Sequence, residues 1–222
     1  PETILLGKRG KSYDRADFQQ ALDEFKTRNL CNLEVGRLYE RYIGYLREQD
    51  NWRVAFTGIL GGFGDLGRDL ICTKGNLHEI IQAKCWSKRK EIHEKHVYQL
   101  HATVIHYRLQ LREAYKLKFG RKQAKELMKS QKITGHLIST TKLSDMAAKV
   151  AKHCDIQFEL QELSKEYPMI KCNISKKTGE KRYHLPFDSH YDSIIMGNVD
   201  EESYVTTVLE AENSSFKRIG YA

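Results

Sequence analysis

An aspartate and a glutamine–lysine pair, carried by two short apolar segments, are the side chains of this sequence best suited to hydrolytic chemistry. Asp69 stands directly before an apolar segment, and a Lys-Gly-Asn turn at residues 74–76 leads into a second one that ends Gln82-Ala83-Lys84. Two strands joined by a tight turn run antiparallel, so the start of the first lies beside the end of the second. We therefore expect Asp69, Gln82 and Lys84 to meet at one open end of a hairpin.

This set of atoms suits a divalent cation. Side chains alternate along a strand, so Gln82 and Lys84 share a face, while Ala83 points into the core and leaves its carbonyl near the site. A carboxylate, an amide oxygen and a backbone carbonyl form a hard-oxygen cradle of the kind that binds magnesium. Lys84 would then be able to orient or deprotonate the attacking water, or to offset charge that develops on a phosphate.

These residues resemble the signature of the PD-(D/E)XK nuclease superfamily, and specifically of its Mrr-like restriction endonuclease branch, where glutamine often replaces the usual acidic residue. The shared features are Asp69, the twelve-residue gap, Gln82-Ala83-Lys84 and the preceding Gly-Asp-x-Gly at 64–67. Gly36-Arg-Leu-Tyr-Glu40 is similar to the family's first helix, whose glutamate completes the metal site. The segment 136–141, followed by Ala147 and Ala151, is similar to its late strand and packing helix.

The resemblance extends from about residue 33 to about residue 160, and the charged segment between residues 92 and 131 departs from the family pattern. It implies an α/β fold: a restriction-endonuclease-like core with a central mixed β-sheet flanked by helices, plus a small C-terminal α+β appendage. It also implies a magnesium-dependent endodeoxyribonuclease of restriction or defence type that acts on double-stranded DNA, with manganese able to substitute. Glu40, Asp69, Gln82 and the Ala83 carbonyl would hold the ion, and Lys84 would act on the water.

Two other functions stay open at this point. One is a non-catalytic module that keeps the fold and only binds or targets DNA. Loss of Asp69, Gln82 or Lys84 would favour it, and all three are present. The other is a nuclease on the same fold that acts on RNA or on DNA junctions. A homodimer is also compatible with the sequence.

Positive charge follows the candidate site along the chain. Residues 84–132 hold fourteen basic and four acidic side chains, or +10, whereas the whole chain carries +8. Such a patch next to the site would attract a polyanion. We expect contacts to nucleic acid from the backbone of the glycine-rich turn and from side chains that flank the motif. Trp86 and Tyr98 could stack on bases, but core packing is the favoured interpretation of both. The predicted contacts are Gly62, Gly64, Arg68, Lys88, Arg89, Lys90, His93 and His96.

Hydrophobic periodicity indicates the elements that position these residues. The patterns predict helices near residues 14–26 and 33–49, strands near 52–57, 69–73 and 78–84, a long helix interrupted at Gly120, a strand at 133–139, a helix capped by Ser144 and a last core strand at 156–160. A hairpin over 169–185 and an irregular tail follow. The predicted organisation is an N-terminal arm and helix (1–32), the nuclease core (33–166) and a small C-terminal add-on (167–222).

Composition excludes several other classes of protein. No apolar run is long enough to span a membrane, and there is no signal-peptide pattern, so we expect a cytoplasmic protein. The five cysteines are scattered and lack a Cys-x-x-Cys pair, which predicts reduced thiols. His93-Glu94-Lys95-His96 differs from the His-Glu-x-x-His zinc motif because position 97 is valine.

Overall fold

The computed structural model of the protein describes residues 14–61, 67–197 and 200–218, which form two compact units. One unit is Asn32–Leu163. The other joins the N-terminal segment, up to Cys31, with the C-terminal segment from Ser164 onward. The N-terminal helix and the C-terminal segment, which were predicted as two separate parts, therefore share one unit. Gly62 and Gly64 of the glycine-rich turn lie outside the described residues.

The larger unit is built on a five-stranded mixed sheet, which confirms the predicted α/β architecture. Strands β1 to β5 follow one another in chain order across the sheet. The first three are antiparallel, and the last three are parallel to one another. Their bounds are β1 Arg53–Phe56, β2 Leu70–Lys74, β3 Leu77–Lys84, β4 Lys132–Ser139 and β5 Ile156–Leu160.

The hairpin of β2 and β3 has the predicted geometry. Only Gly75 and Asn76 connect the strands, and Gly75 has φ +60°, a left-handed conformation that glycine adopts without a steric penalty. The register pairs Leu70 with Ile81, so Asp69, one residue earlier, stands beside Gln82. The backbone N–H of Asp69 continues the ladder by donating to Ile81 O at 2.8 Å.

Helices cover the sheet and make its connections. The helices of this unit are α2 Asn32–Gln49, α3 Thr57–Gly61, α4 Glu94–Phe119, α5 Arg121–Ser130 and α6 Asp145–His153. The first strand was predicted near residues 52–57 and extends from Arg53 to Phe56. It ends one residue early because Thr57 begins α3. Ser144 caps α6 as predicted, since its side chain accepts a hydrogen bond from Ala147 N.

The charged segment between β3 and β4 forms the crossover of the sheet. Parallel neighbouring strands need a connection that returns to the same end, and α4 and α5 provide it. Val97, Leu100 and Val104 of α4 pack in the core, while most of the charged side chains face outward. Gly120, with φ +79°, separates the two helices.

The second unit is a four-stranded sheet covered by two helices. The predicted hairpin is confirmed as β6 Ile170–Ile174 and β7 Lys181–His184, which are antiparallel. The tail is more regular than predicted. It adds a short 3-10 helix, β8 Ser203–Val205, α7 Val208–Asn213 and β9 Lys217–Arg218, while α1 Arg15–Thr27 contributes Leu22 to the core. These tail elements escaped prediction because each is short and depends on tertiary packing.

Over the described ranges, no helix combines the length and the apolar character needed to cross a bilayer.

Candidate active site

The Asp69 carboxylate is held rigidly at the start of β2. Its Oδ2 atom accepts a 2.7 Å hydrogen bond from the backbone N–H of Ala83, and its backbone carbonyl accepts one from Gly58 N at 2.9 Å. The residue is only 8% exposed. The backbone of Ala83 therefore orients one oxygen of the carboxylate, and the backbone of Gly58 fixes the Asp69 carbonyl.

Glu40 approaches Asp69 across Gly58. A β-carbon added to Gly58 would lie 2.8 Å from Glu40 Oε2 and 3.1 Å from Asp69 Oδ1. The two oxygens are therefore no farther apart than the sum of these distances, and they face the same small space above the Gly58 backbone. The structure thus brings together two carboxylates that are separated by twenty-eight residues in the sequence.

An ion-pair network anchors the helix that carries Glu40. Arg47, two turns after Glu40 on α2, pairs through Nε with Glu79 Oε2 at 2.9 Å and through Nη2 with Glu159 Oε2 at 2.8 Å. These partners lie on β3 and β5, and the Arg47 side chain is 12% exposed. The network ties α2 to the strand that carries Gln82 and Lys84, which limits how far Glu40 can move relative to them.

Gln82 supplies a buried amide beside this pair. It is 1% exposed, and its Nε2 donates to Gly67 O at 2.9 Å. Its Oε1 atom is also buried but accepts no hydrogen bond within the described part of the chain. A buried acceptor without a donor is costly, and a cation would satisfy it. The strand register places Gln82 next to Asp69, but Gln82 is not among the residues that line the cleft between the two carboxylates and Lys84. Carboxylate and amide oxygens are of the type that a hard divalent ion prefers.

The carboxylates open into a cleft of about 430 Å³ on the surface of this unit. Ala83 and Lys84 line it together with Glu40 and Asp69. Ala83 is 8% exposed. Across residues 14–61, 67–197 and 200–218, no group of three or more histidine, cysteine or acidic residues could hold a metal. The candidate ligand set therefore depends on the Gln82 amide and a backbone carbonyl as well as on carboxylates.

The loop after β3 carries the predicted basic residues to the mouth of the cleft. Lys90 lines the cleft, and Lys88, Arg89 and Lys90 together line a second, adjoining cavity of about 590 Å³. All three are exposed. Hydrogen bonds from Thr141 Oγ1 to Lys90 O and between Ile92 and the backbone of Lys142 and Ser144 fix the loop against the segment after β4.

The two predicted histidines lie at the start of α4. His93 is the N-cap residue, is exposed and lines the second cavity. His96 is half-buried, and its ring lies nearly perpendicular to that of Trp86, with the centroids 5.1 Å apart. Burial lowers the pKa of His96, and the nearby positive charge of Lys84 lowers it further. Both effects disfavour the protonated form of the His96 ring.

Arg68 lies away from the cleft. Its Nη1 donates to Gln110 Oε1 at 2.9 Å, and its guanidinium lies 6.0 Å from the Tyr107 ring on α4. Arg68 lines neither the cleft nor the second cavity. Of the predicted contacts to nucleic acid, the structure thus groups Lys88, Arg89, Lys90 and His93 around the cavities and places Arg68 against the crossover helix.

The prediction that the positive charge of residues 84–132 collects beside the site is wrong for the second half of that segment. Lys132 pairs with Leu77, the first residue of β3, whereas Lys84 is its last. Asn76 Nδ2 donates to Ser130 O, so α5 ends at the same remote edge. Eight strand residues span roughly 25 Å. The basic residues of α5 therefore lie at the opposite end of the sheet from Lys84.

Of two further residues that shape the site, Gly58 was not predicted from the sequence, and Trp86 was interpreted mainly as core packing. Gly58 provides the space in which the two carboxylates face each other. Trp86 packs partly on the core, as interpreted, but also lines both cavities. Its position, two residues after Lys84, was the available signal. Nothing in the sequence pattern marked Gly58, because its role depends on a contact between α2 and β2.

The region that forms the cleft matches a known protein family. A family model described as "Restriction endonuclease" matches residues 35–147, about half of the chain, and this range includes Glu40, Asp69 and the Gln82–Lys84 segment. The protein belongs to this restriction endonuclease family, and the predicted Mrr-like membership is confirmed. No curated protein and no solved structure matched the chain.

Proposed function

We propose that this protein is a metal-dependent DNA endonuclease that hydrolyses phosphodiester bonds in the cleft formed by α2, β2 and β3. The proposal is supported by family membership and, above all, by one observation: Glu40 Oε2 and Asp69 Oδ1 face the same space, and Lys84 lines the same cleft. A purely DNA-binding protein would have no need of two converging carboxylates, which repel a phosphate.

Glu40, Asp69, the Gln82 Oε1 atom and the Ala83 carbonyl would hold Mg²⁺, with Mn²⁺ able to substitute. A divalent ion bound there supplies Lewis-acid chemistry, which favours deprotonation of water and stabilises charge on the phosphate. The Ala83 N–H keeps the Asp69 carboxylate oriented, so little reorganisation is needed when a ligand enters.

Lys84 has a separate part in this proposal. Its ammonium can donate hydrogen bonds to a non-bridging phosphate oxygen or orient the attacking water, and it carries the positive charge that the developing phosphorane needs. Lys88, Arg89 and Lys90 sit beyond the reaction centre. They are suited to hold the backbone on either side of the scissile phosphate, and this contact would weaken as salt rises.

The test is cleavage of supercoiled plasmid DNA with Mg²⁺, Mn²⁺ or EDTA. We expect nicking or cutting with either metal and none with EDTA. Circular single-stranded DNA and RNA run beside the duplex would define the nucleic acid. Activity that persists in EDTA would overturn the metal mechanism. Tight binding without cleavage in either metal would instead support a DNA-targeting module.

We also propose that cutting of both strands requires two copies of the chain, because one cleft faces one scissile phosphate. The ratio of linear to nicked plasmid should then rise with protein concentration. A ratio independent of concentration would indicate that one copy cuts the strands in succession.

A further inference from the structure

The cavity beside the cleft has the character of a nucleotide site. It shares Trp86 and Lys90 with the cleft, so the two spaces adjoin. Its volume of about 590 Å³ lies within the range of about 300–1,000 Å³ typical of sites for single small molecules. Its remaining lining residues are Lys88, Arg89, Glu91, His93 and Lys142.

The aromatic wall of this cavity is held in place from several sides. Trp86 N donates to Thr140 Oγ1 at 2.8 Å, and the same hydroxyl donates back to Trp86 O at 2.7 Å. The indole packs partly on the core, and the His96 ring lies nearly perpendicular to it, at an interplanar angle of 81°. A ring fixed in this way loses little conformational entropy when a flat ligand stacks on it.

The rim carries positive charge that is only partly neutralised. Lys88 pairs with Glu162 at 2.6 Å, and Lys142 pairs with Glu91 at 2.8 Å. Arg89 and Lys90 make no ion pair within the described part of the chain. Lys90 Nζ lies 5.8 Å from the centre of the Trp86 ring. The Lys90 ammonium lies over the ring, so a base that stacks on this face of Trp86 would displace the flexible lysine side chain toward the phosphate. A fixed aromatic wall with two cations beside it suits a base and its phosphate.

We propose that this cavity binds one unstacked nucleotide of the cleaved strand, directly beside the scissile phosphate, with its base on Trp86 and its phosphate at Arg89 and Lys90. The inference rests on the proposed nuclease function and specifies its substrate. Bases within an intact duplex present only their edges, so a base can reach the face of an indole only after it leaves the stack. The preferred substrate is therefore DNA that is unpaired or easily unpaired at the cut, such as a flap, a fork, a mismatch or the strained duplex of a supercoiled plasmid.

The binding test uses Trp86 as its own reporter. The chain has two tryptophans, so the full-length Trp52→Phe variant leaves Trp86 as the only one. In EDTA, which prevents metal-dependent cutting, a single-stranded oligonucleotide and a flapped duplex should quench its fluorescence. A blunt, fully paired duplex of equal length should quench it much less. Equal quenching by the blunt duplex, or no quenching by any DNA, would overturn the proposal.

Variants of both the protein and the DNA then locate the contact. Trp86→Leu should weaken binding of the flapped duplex about 5- to 150-fold and leave the blunt duplex unaffected, whereas Trp86→Phe should retain most of the affinity. An abasic nucleotide at one flap position should reproduce the loss with unaltered protein and should have no further effect on Trp86→Leu. Equal losses on both duplexes, or no loss at any abasic position, would contradict base stacking.

These measurements separate the two proposals. Quenching and the abasic effect need no metal and no turnover, so they stand even if the protein never cuts DNA. Conversely, metal-dependent cutting of the blunt duplex at the same rate as the flapped one would support the nuclease function. It would overturn the proposal that the cavity binds an unstacked nucleotide.

Discussion

The two ends of the five-stranded sheet carry similar charge but differ in what surrounds it. At one end, Lys84 closes β3 beside the Asp69 carboxylate and a cleft. At the other, Lys132 opens β4 next to α5, whose lysines project into solvent. Converging carboxylates that could hold a cation accompany the lysine at the first end. Positive charge attracts DNA, but chemistry needs groups that are held in fixed positions.

The largest expected effect comes from removing the groups at the first end. Asp69→Ala and Lys84→Ala should each lower the cleavage rate about 10²- to 10⁴-fold while leaving DNA affinity nearly unchanged. The matched control is Lys132→Ala, which removes the same charge from the other end of the sheet. Single-turnover cleavage and filter binding measure the two quantities. A wild-type rate for Lys84→Ala would show that the site assignment is wrong.

A methyl group on Gly58 should act on the carboxylates without removing them. Its β-carbon would lie 2.8 Å from Glu40 Oε2 and 3.0 Å from the Asp69 Cα, so both must shift. We expect a rate lower by roughly tenfold, since displacements near 1 Å can cost two orders of magnitude and the shifts needed here are smaller. The Mg²⁺ concentration needed for half-maximal rate should rise as well.

Gly36→Ala is the control for this change. It lies on α2 and lines the same cleft, but a β-carbon there would contact nothing within 4 Å. Replacing a helical glycine should stabilise the protein by about 1 kcal/mol and leave cleavage unchanged. If Gly58→Ala behaves as Gly36→Ala does, the space above Gly58 is not the metal site.

Neutralising basic side chains at either end of the sheet should show whether DNA affinity depends on the position of the positive charge or only on the net charge. A variant with Lys88, Arg89 and Lys90 all changed to Gln should flatten the dependence of log affinity on log salt by about 0.9 for each phosphate that the protein no longer neutralises. Its rate at saturating DNA should fall much less than that of Lys84→Ala. The control, with Lys122, Lys125 and Lys129 of α5 changed to Gln, removes the same net charge and should keep the slope. If both variants had the same salt slope, the basic residues beside the cleft would contact DNA no more than those of α5.

The Gln82→Glu variant tests whether cleavage needs the amide group of Gln82 or whether a carboxylate can replace it. The resemblance alone suggests that glutamate would serve, because it is the commoner residue of the superfamily. Here, however, Gln82 Nε2 donates to Gly67 O, and a carboxylate would place an oxygen against that carbonyl. We expect cleavage to fall about tenfold, as for the loss of one buried hydrogen bond. Full activity would show that the hydrogen bond to Gly67 is dispensable.

The smallest expected effect is a change in the pKa of His96, which lies near Lys84. Burial and then Lys84 hold the pKa of His96 below its ordinary value. Lys84→Ala should therefore raise it, so that His96 gains its proton at a higher pH than in the wild type. Lys132→Ala should leave it unchanged. Titration of the histidine ring signals by NMR measures both, and an unaltered His96 in Lys84→Ala would mean that Lys84 is directed elsewhere.

Local patterns in the sequence determined the candidate strands and the order of the reactive residues. The Gly75-Asn76 turn sets the hairpin register, and alternation along β3 then places Asp69 beside Gln82. Ser144 and Gly120 likewise marked a helix start and a helix break, because capping and φ preferences depend on neighbouring residues alone. These features are local, so one sequence sufficed to predict them.

Tertiary structure determined which residues from distant parts of the chain lie close together. Glu40 meets Asp69 through the packing of α2, which Arg47 ties to Glu79 and Glu159, while Gly58 leaves room for both carboxylates; of this, the sequence offered only the family resemblance of the helix. The parallel pairing of β3 and β4 carries α5 to the far edge of the sheet, so basic residues that follow Lys84 in sequence lie remote from it. Packing likewise assigned α1 to the C-terminal unit and exposed part of Trp86 to the cleft. Residue spacing along the chain contains none of this information, because burial of apolar surface by distant segments selects the arrangement.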